Sequence, residues 1–369
     1  MADSNKARET SFIRTMRKAY HSIGFKKGYN LILWFIFAGA LMGFTLARLQ
    51  YLDFHGVFCS AGDSGGNHAA PGECLYYLRG HEKIGIILHL ATILPASFLV
   101  VFQFIPAIRY KALLFHRLNG YIVIVLSLLG TAGVLMIARH AFGGTLATQY
   151  ATGFISIAFF GALIMAYINI KRLQIEQHRA WMLRAWFYAG CIITIRIIMI
   201  IAAQIVSQIG GYYDVRPCEQ IEYIFGSQEE AISAYPDCTP FFNGSDPSKQ
   251  VAVEANFNGN PVQLTVALGS NFGSAMWLAF AIHAIGVEIY LKLTPAESER
   301  LRNVSYQRQL EAGMKNPGRA GLTVDRFGDS EKWSPRILQT IGQEEPLVIS
   351  RNYNPIPGYL ARKIVHAFL

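Results

Sequence analysis

Long apolar segments alternate with polar segments along most of the chain, and this alternation predicts an integral membrane protein. Each apolar segment has about the twenty residues that an α-helix needs to cross the hydrocarbon core of a bilayer. The pattern therefore favours an all-α fold, a six-span transmembrane helical bundle. The predicted spans are residues 29–47, 84–108, 118–138, 150–170, 185–206 and 273–291.

Lysine and arginine are unevenly distributed over the polar segments, and this predicts the orientation. They crowd the N-terminal segment and the connections after the second and fourth spans, whereas the other connections contain few. Because the cytoplasmic ends of spans are enriched in these residues, both termini are expected in the cytosol. The N-terminal segment has no compact signal peptide with a small-residue cleavage site, so the first span is expected to be retained.

The same pattern predicts how the chain is divided. The predicted parts are a basic cytosolic N-terminus (1–28), spans one to five (29–206), an extracytoplasmic loop (207–272), the sixth span (273–291) and a cytosolic tail (292–369). The tail is polar, mixed in charge and interrupted by Pro and Gly, so it is expected to have little core of its own. One helix is predicted in it, near residues 296–314.

The composition agrees with a membrane protein and does not favour nucleic acid as a partner. Hydrophobic residues make up 52% of the chain and charged residues 15%, whereas soluble domains are about a quarter charged. The formal net charge is +9, but the basic residues lie at the ends of spans and form no stripe with interleaved aromatics. The expected partner is the lipid bilayer.

Four of the five cysteines fall in pairs on the side predicted to be extracytoplasmic. Cys59 and Cys74 lie in the first outer loop, Cys218 and Cys238 in the long outer loop, and Cys191 lies alone inside a span. Because disulfides form in oxidising compartments, the sequence predicts disulfides Cys59–Cys74 and Cys218–Cys238. The alternative is four free thiols.

A glycosylation sequon lies in the same long outer loop. Asn243-Gly244-Ser245 predicts an N-linked glycan and hence a membrane of the eukaryotic secretory pathway, which is the endoplasmic reticulum, the vacuole or the plasma membrane. A second sequon begins at Asn303 in the predicted cytosolic tail, where it is expected to stay unmodified.

The two predicted cytosolic turns between spans resemble each other. Each leaves a span, passes basic residues and enters the next span with a His-Arg pair, His116-Arg117 in one turn and His178-Arg179 in the other. One interpretation is a parallel repeat of helical hairpins. Without any repeat, both imidazoles are still expected at the cytosolic N-terminal ends of outward-running helices, at similar depth.

These two turns also carry a family resemblance. The segments "LHLATILPASFLVVFQFIPAIRYKALLFHRLNGYI" and "EQHRAWMLRAWFYAGCIITIRI" resemble the multi-pass membrane proteins called the domain of unknown function 2306 family, over about residues 84–204. The resemblance implies a four-helix membrane core at 84–206 and no known reaction. The residues that carry it are His89, Gln103-Phe104, Arg109, His116-Arg117, Gly120, His178-Arg179, Trp181-Met182, Arg184 and Arg196.

An arginine lies deep inside the fifth predicted span. Arg196 is twelve residues beyond Arg184, or roughly 18 Å along a helix, so it is expected near mid-membrane. It lies five helical turns from His178, which puts both on one helix face. Because ionisable residues inside a membrane are costly, this face is expected to point into the bundle. The alternative is that Arg196 caps backbone carbonyls at a kink.

The sixth span carries two further polar residues. His283 is expected at a depth from which it can approach Arg196. Glu288 has two interpretations, an i,i+4 pair with Lys292 or a counter-ion for Arg196.

The distribution of histidines suggests a redox function. Helical bundles hold haem through axial histidines on facing helices. His116 and His178 would ligate an inner haem b, and His89 with His140 or His283 an outer one, in an electron carrier or oxidoreductase with a redox partner. Arginines would pair with the haem propionates. The candidates are Arg109, Arg117, Arg179 and Arg184.

The alternative function is a site for a lipophilic small molecule. Two helix N-termini and two His-Arg pairs at one mouth predict an anion trap. His116, His178 and Arg196 would then be catalytic in a cyclase, isomerase or hydrolase, for example in biosynthesis, or the site would belong to a carrier. A structural role for the same residues is the third interpretation. The chain has no HExxH, P-loop or GxGxxG motif, so zinc-hydrolase and nucleotide chemistry are not supported.

Overall fold

The structure is a computed structural model, and it describes residues 17–18, 20–60, 69–318, 321 and 323–335. The start of the predicted N-terminal segment and the end of the predicted tail lie outside these residues. In chain order the helices are α1 (Gly28–Leu46), α2 (Cys74–Tyr77), α3 (Gly80–Gln103), α4 (Pro106–Lys111), α5 (Leu113–Ile137), α6 (Leu146–Lys171), α7 (Ile175–Ile209), α8 (Cys218–Phe225), α9 (Gln228–Ala234), α10 (Thr239–Phe242), α11 (Pro261–Leu293) and α12 (Pro295–Glu311).

Six of the described helices are long and apolar enough to cross a membrane. They are α1, α3, α5, α6, α7 and α11, and each contains or overlaps one of the predicted spans. The prediction of an all-α membrane bundle is confirmed.

The ends of these helices differ from the predicted spans, and in three helices the difference has a local reason. The second span was predicted to reach residue 108, but α3 ends at Gln103, because Pro106 cannot continue a helix and instead begins α4 at its first turn. Helix α11 begins 12 residues before the predicted span, where Asn260 and Gln263 form a capping box ahead of Pro261. Helix α7 begins ten residues early because its polar first turns are also helical.

Helices α3 and α5 approach each other closely through glycine. A Cβ atom added to Gly133 would lie 2.6 Å from the Gly85 carbonyl oxygen and 2.7 Å from the His89 backbone nitrogen. Small residues allow this approach between membrane helices, where packing replaces the hydrophobic effect as the driving force. The same contact lets His89 Nδ1 bond to the Gly130 carbonyl oxygen at 2.8 Å.

The loops at one end of the bundle fold together, and we call this the disulfide end (residues 47–60, 69–79, 138–145 and 210–260). Cys59 bonds to Cys74 and Cys218 bonds to Cys238, so both predicted disulfides are confirmed, and Cys191 is buried and free. The predicted long loop has a core of its own. It contains the antiparallel strands β1 (Tyr213–Pro217) and β2 (Gln250–Glu254), packed beside buried Ile221 and Val266.

The opposite end of the bundle is formed by residues 20–27 and 104–112, and we call it the basic end. The Ala107 amide donates to the Ile23 carbonyl at 3.0 Å, which ties the segment before α1 to the connection between α3 and α5. Lys26, Lys27, Arg109 and Lys111 lie in these two segments. Which end faces the cytosol stays a prediction.

A second compact unit comprises Arg172–Glu176 and the described part of the chain from Ala296. The helix predicted in the tail is confirmed as α12. The described part of the tail has more internal packing than expected. Trp333 donates to Glu299 at 3.0 Å and lies over the Arg302 guanidinium at 4.6 Å. Arg302 also pairs with Asp325 at 2.8 Å, and Leu301 is buried.

The predicted sidedness is testable through the two sequons. The Asn243 side chain is exposed and accepts hydrogen bonds only from Ser245, at 3.0 Å and 2.7 Å, among the described residues. We expect protein made in eukaryotic membranes to carry a glycan on Asn243 and none on Asn303. Treatment with peptide N-glycosidase should increase gel mobility, and Asn243→Gln should abolish that change. Asn303→Gln is the matched control; loss of the glycan in that variant instead would invert the predicted orientation.

Candidate functional site

The structure brings together the two histidines of the predicted His-Arg pairs. Each imidazole lies in the first turns of its helix, His116 in α5 and His178 in α7. The two rings interact electrostatically. His178 Nδ1 bonds to the Ala166 carbonyl oxygen at 2.9 Å. His116 Nδ1 is buried and has no hydrogen-bond partner among the described residues.

A glutamine for which the sequence predicts no role completes this cluster. Gln103 is the last residue of α3, and its side-chain nitrogen is also buried without a partner in the described part of the chain. Its side chain lies against Gly120, one helical turn beyond His116; a Cβ added there would be 3.6 Å from Gln103 Oε1. Arg109 and Arg117 are the arginines that act on His116 electrostatically. We call Gln103, Arg109, His116, Arg117 and His178 the basic-end site.

Arg196 lies in a separate aromatic and acidic environment at the disulfide end. Its guanidinium carbon is 4.2 Å from the centre of the Phe142 ring and 5.4 Å from that of Phe272, and these two rings stack at 4.2 Å. Among the charged groups that act on it, Glu73 has the largest electrostatic effect. Arg196 thus lies among side chains inside the bundle, and among the described residues it makes no hydrogen bond to a backbone carbonyl, as the kink interpretation would require.

Glu73 belongs to the first outer loop and is only 5% exposed. Its Oε1 accepts from the Phe142 amide at 2.6 Å and from the Tyr77 hydroxyl at 3.4 Å, and its Oε2 accepts from the Ala70 amide at 3.1 Å. Nothing in the sequence singles out Glu73, because a glutamate in a polar loop is expected to be solvated. We call Glu73, Phe142, Arg196 and Phe272 the disulfide-end site.

Phe142 connects the parts of the disulfide-end site and has a strained backbone. Its φ of 48° is in the left-handed region, which costs a non-glycine residue about 1–3 kcal/mol. Its amide binds Glu73 while its ring contacts Arg196 and Phe272. Such strain persists only where the surroundings fix the conformation, and it is concentrated at functional sites.

The remaining candidate histidines are each engaged elsewhere. His283 uses both ring nitrogens, Nδ1 with the Phe187 carbonyl and Nε2 with the Thr194 hydroxyl, each at 2.8 Å. His140 Nδ1 bonds to buried Glu82 at 2.5 Å, and its ring stacks on Tyr76 at 3.8 Å. Glu82 is two helical turns from His89 on α3. The residue that binds His140 is therefore about 10 Å along that helix from His89. The structure does not bring these three histidines together.

The remaining charged candidates link α7 to α11. Arg184 binds Glu288 with two hydrogen bonds, of 2.6 Å and 3.0 Å, and Arg179 donates to the Tyr290 hydroxyl at 3.3 Å. The interpretation of Glu288 as the counter-ion of Arg196 is wrong, because its direct partner is Arg184. In the described part of the chain no three His, Cys, Asp or Glu side chains are placed to hold a metal ion.

Glu73 gives a testable dependence of stability on pH. Burial raises the pKa of its carboxyl above the ordinary value of 4.5, although the Phe142 amide and Arg196 act in the opposite direction. A raised pKa means that the folded protein holds this proton more tightly than the unfolded chain. The contribution of this proton to the free energy of unfolding is therefore complete below about pH 4.5. It is lost as the pH rises through the raised pKa of Glu73.

We expect thermal unfolding of Glu73→Gln to depend less on pH than that of the wild type above pH 4.5. The variant should gain stability relative to the wild type as the pH rises. Glu219→Gln is the control, since Glu219 is exposed and paired with Arg79 at 3.1 Å. Parallel pH profiles for wild type and Glu73→Gln would show that burial of Glu73 has no such effect.

These features define an integral membrane protein with an all-helical bundle and polar sites at both ends. Residues 86–216 match the family described as Predicted membrane protein (DUF2306), which confirms the resemblance over the region that includes α5, α6 and α7. The chain is also 24% identical over 341 residues to Ava biosynthesis cluster protein G of Aspergillus versicolor, across 80% of this chain and 97% of that protein. No solved structure matches the chain significantly.

Proposed function

We propose that the protein acts in a biosynthetic pathway on a lipophilic metabolite whose carboxylate or phosphate group binds at the basic-end site. The protein is then a membrane-embedded enzyme or a carrier for that metabolite. The name of the relative from Aspergillus versicolor, a biosynthesis cluster protein, supports the link to a pathway.

The observation that carries the proposal is the pair of unsatisfied nitrogens, His116 Nδ1 and Gln103 Nε2. Native proteins leave few buried polar groups unpaired, and each costs about 1–3 kcal/mol. Gln103 Nε2 only donates, so its missing partner is a hydrogen-bond acceptor, and His116 Nδ1 donates to the same acceptor when it carries the ring proton. Two arginines, Arg109 and Arg117, act electrostatically on His116, so the acceptor that fits is an anion.

The geometry also gives the two imidazoles different chemical roles. A carbonyl oxygen only accepts, so the bond from His178 to Ala166 assigns the proton to Nδ1. Neutral His178 then presents an unprotonated Nε2, which is the form of a general base. His116 binds the anion through Nδ1–H. The apolar remainder of the metabolite lies between the helices, in contact with lipid-facing surface.

A binding experiment with dodecyl chains of different charge tests the proposal. Radiolabelled laurate should bind the purified full-length protein saturably, with dodecyl phosphate competing and dodecanol and dodecylamine not competing. His116→Ala combined with Gln103→Ala should weaken laurate binding at least tenfold. Asn119→Ala is the matched control on the same helix, because Asn119 already bonds to the Leu99 carbonyl at 3.0 Å. Unchanged laurate binding in the double variant would refute the proposal.

Haem binding is the second proposed function, and the orientation of His178 favours it. Histidines that ligate a metal usually donate their other ring N–H to a carbonyl or carboxylate, and His178 Nδ1 is bonded to Ala166 in this way. With neighbouring His116, it would ligate a haem b at the basic end, in an electron carrier or oxidoreductase. An absorption spectrum decides this: a Soret band that disappears in His178→Ala supports haem, and its absence from protein made with excess haem refutes it.

A further inference from the structure

The disulfide-end site contains polar groups that the proposed function does not use. Arg196 lies 18 residues beyond His178 on α7, which is about 27 Å along a helix. The two sites are therefore separate, and a ligand in one does not contact the residues of the other. The partner of Arg196 is therefore independent of the ligand at the basic-end site.

The hydrogen-bonding capacity of the two charged groups is used unequally. The Glu73 carboxylate already receives three hydrogen bonds, from Phe142, Ala70 and Tyr77. A guanidinium has five N–H donors, yet Arg196 makes no hydrogen bond to any described residue, and its Nε is buried. Among the described residues, no carboxylate oxygen lies within the 4.0 Å of an ion pair with Arg196. The N–H groups of Arg196 therefore lack an acceptor among the described residues, although the Glu73 carboxylate acts on Arg196 without direct contact.

The charge balance decides which kind of acceptor fits. Among the charged groups that act on Arg196, Glu73 has the largest effect and Arg48 acts in the opposite direction, so an ionised Glu73 offsets part of the guanidinium charge. A second anion would be repelled by the Glu73 carboxylate, whereas a neutral oxygen would not be. This distinguishes the site from the basic end, where the arginines Arg109 and Arg117 act on His116.

We propose that the disulfide-end site binds a neutral carbonyl group of a lipophilic molecule, which accepts a hydrogen bond from Arg196 between Phe142, Phe272 and the Glu73 carboxylate. The carbonyl belongs to a ketone, an ester or an amide. The aromatic rings hold the guanidinium by its face, which leaves its N–H edge for the ligand. The strained backbone of Phe142 fixes the ring on which Arg196 rests.

Benzophenone is a suitable probe, because it is a neutral, lipophilic ketone that crosslinks to nearby C–H bonds under ultraviolet light. We expect irradiation of the purified protein to label peptides that contain Phe142, Phe272 or the neighbours of Arg196 on α7. Methyl laurate should compete with this labelling, and laurate should compete at least tenfold less well. Mass spectrometry of the digested protein locates and quantifies the labelled residues.

Variants separate this proposal from the proposed function. Arg196→Met together with Glu73→Gln removes both charges, so no unpaired buried charge remains, and this variant should lose at least nine-tenths of the labelling. The His116→Ala, Gln103→Ala variant should be labelled as strongly as the wild type. If the double charge variant does not fold, Arg196→Met alone, which also removes every hydrogen-bond donor at this position, should still lose most of the labelling.

Three results would overturn the proposal. They are wild-type labelling in a folded Arg196 variant, labelling confined to peptides away from this site, and equal competition by laurate, which would make the site an anion site. None of them bears on laurate binding at the basic end, so the two proposals fail separately.

Discussion

Replacing Gly133 with alanine is expected to destabilise the protein by roughly 3 kcal/mol, at the upper end of what overpacking costs. The added Cβ would meet the Gly85 carbonyl oxygen at 2.6 Å and the His89 amide nitrogen at 2.7 Å. Both are backbone atoms, so no side chain can rotate away, and α3 and α5 have to separate. Separation would also stretch the bond between His89 and Gly130. Thermal unfolding in detergent measures the loss.

Gly161→Ala is the matched control for this prediction. Gly161 is also in a membrane helix, α6, and a Cβ added there meets no atom within 4 Å. Without a clash, alanine should be neutral or stabilise the helix by up to about 1 kcal/mol. Equal stability of the Gly133 and Gly161 variants would show that the close approach of α3 and α5 does not contribute to stability.

The membrane architecture could be predicted from the sequence because it depends on local composition. A span is a run of apolar residues, and hydropathy finds it without knowledge of any other part of the chain. The disulfides could also be predicted from the sequence, because the pairing follows from which cysteines share an outer loop. The helix ends were harder to predict from the sequence. They depend on a capping box at Asn260 and a proline at position 106, whose effects extend over only two or three residues.

The candidate sites could be predicted only in part, because their contacts connect distant parts of the chain. The pairing of His116 with His178 follows from their equal depth at the starts of two helices. Gln103 is at the end of another helix, and only the packing of α3 on α5 shows that its amide is buried. Glu73 is in a polar loop, and only the folded disulfide end brings it to Arg196.

Removing the Cys218–Cys238 disulfide by changing both cysteines to serine is expected to cost about 3 kcal/mol. The bond joins residues 20 apart, and closing a loop of that length removes about this much conformational free energy from the unfolded chain. Both cysteines are fully buried beside Ile221 and Val253, so the serine hydroxyls also enter an apolar core. The unfolding midpoint should fall, and the disulfide end should become sensitive to protease.

Reduction of the wild type distinguishes loss of the bond from damage by the mutations. Dithiothreitol should destabilise the wild type more than the Cys218→Ser, Cys238→Ser variant, because only Cys59–Cys74 remains to be reduced there. In a protein that also lacks Cys59 and Cys74 it should have no effect, and buried Cys191 serves as the internal control for thiol chemistry. If reduction destabilises all three proteins equally, the bonds do not hold the disulfide end together, and its stability comes from the core that surrounds Ile221.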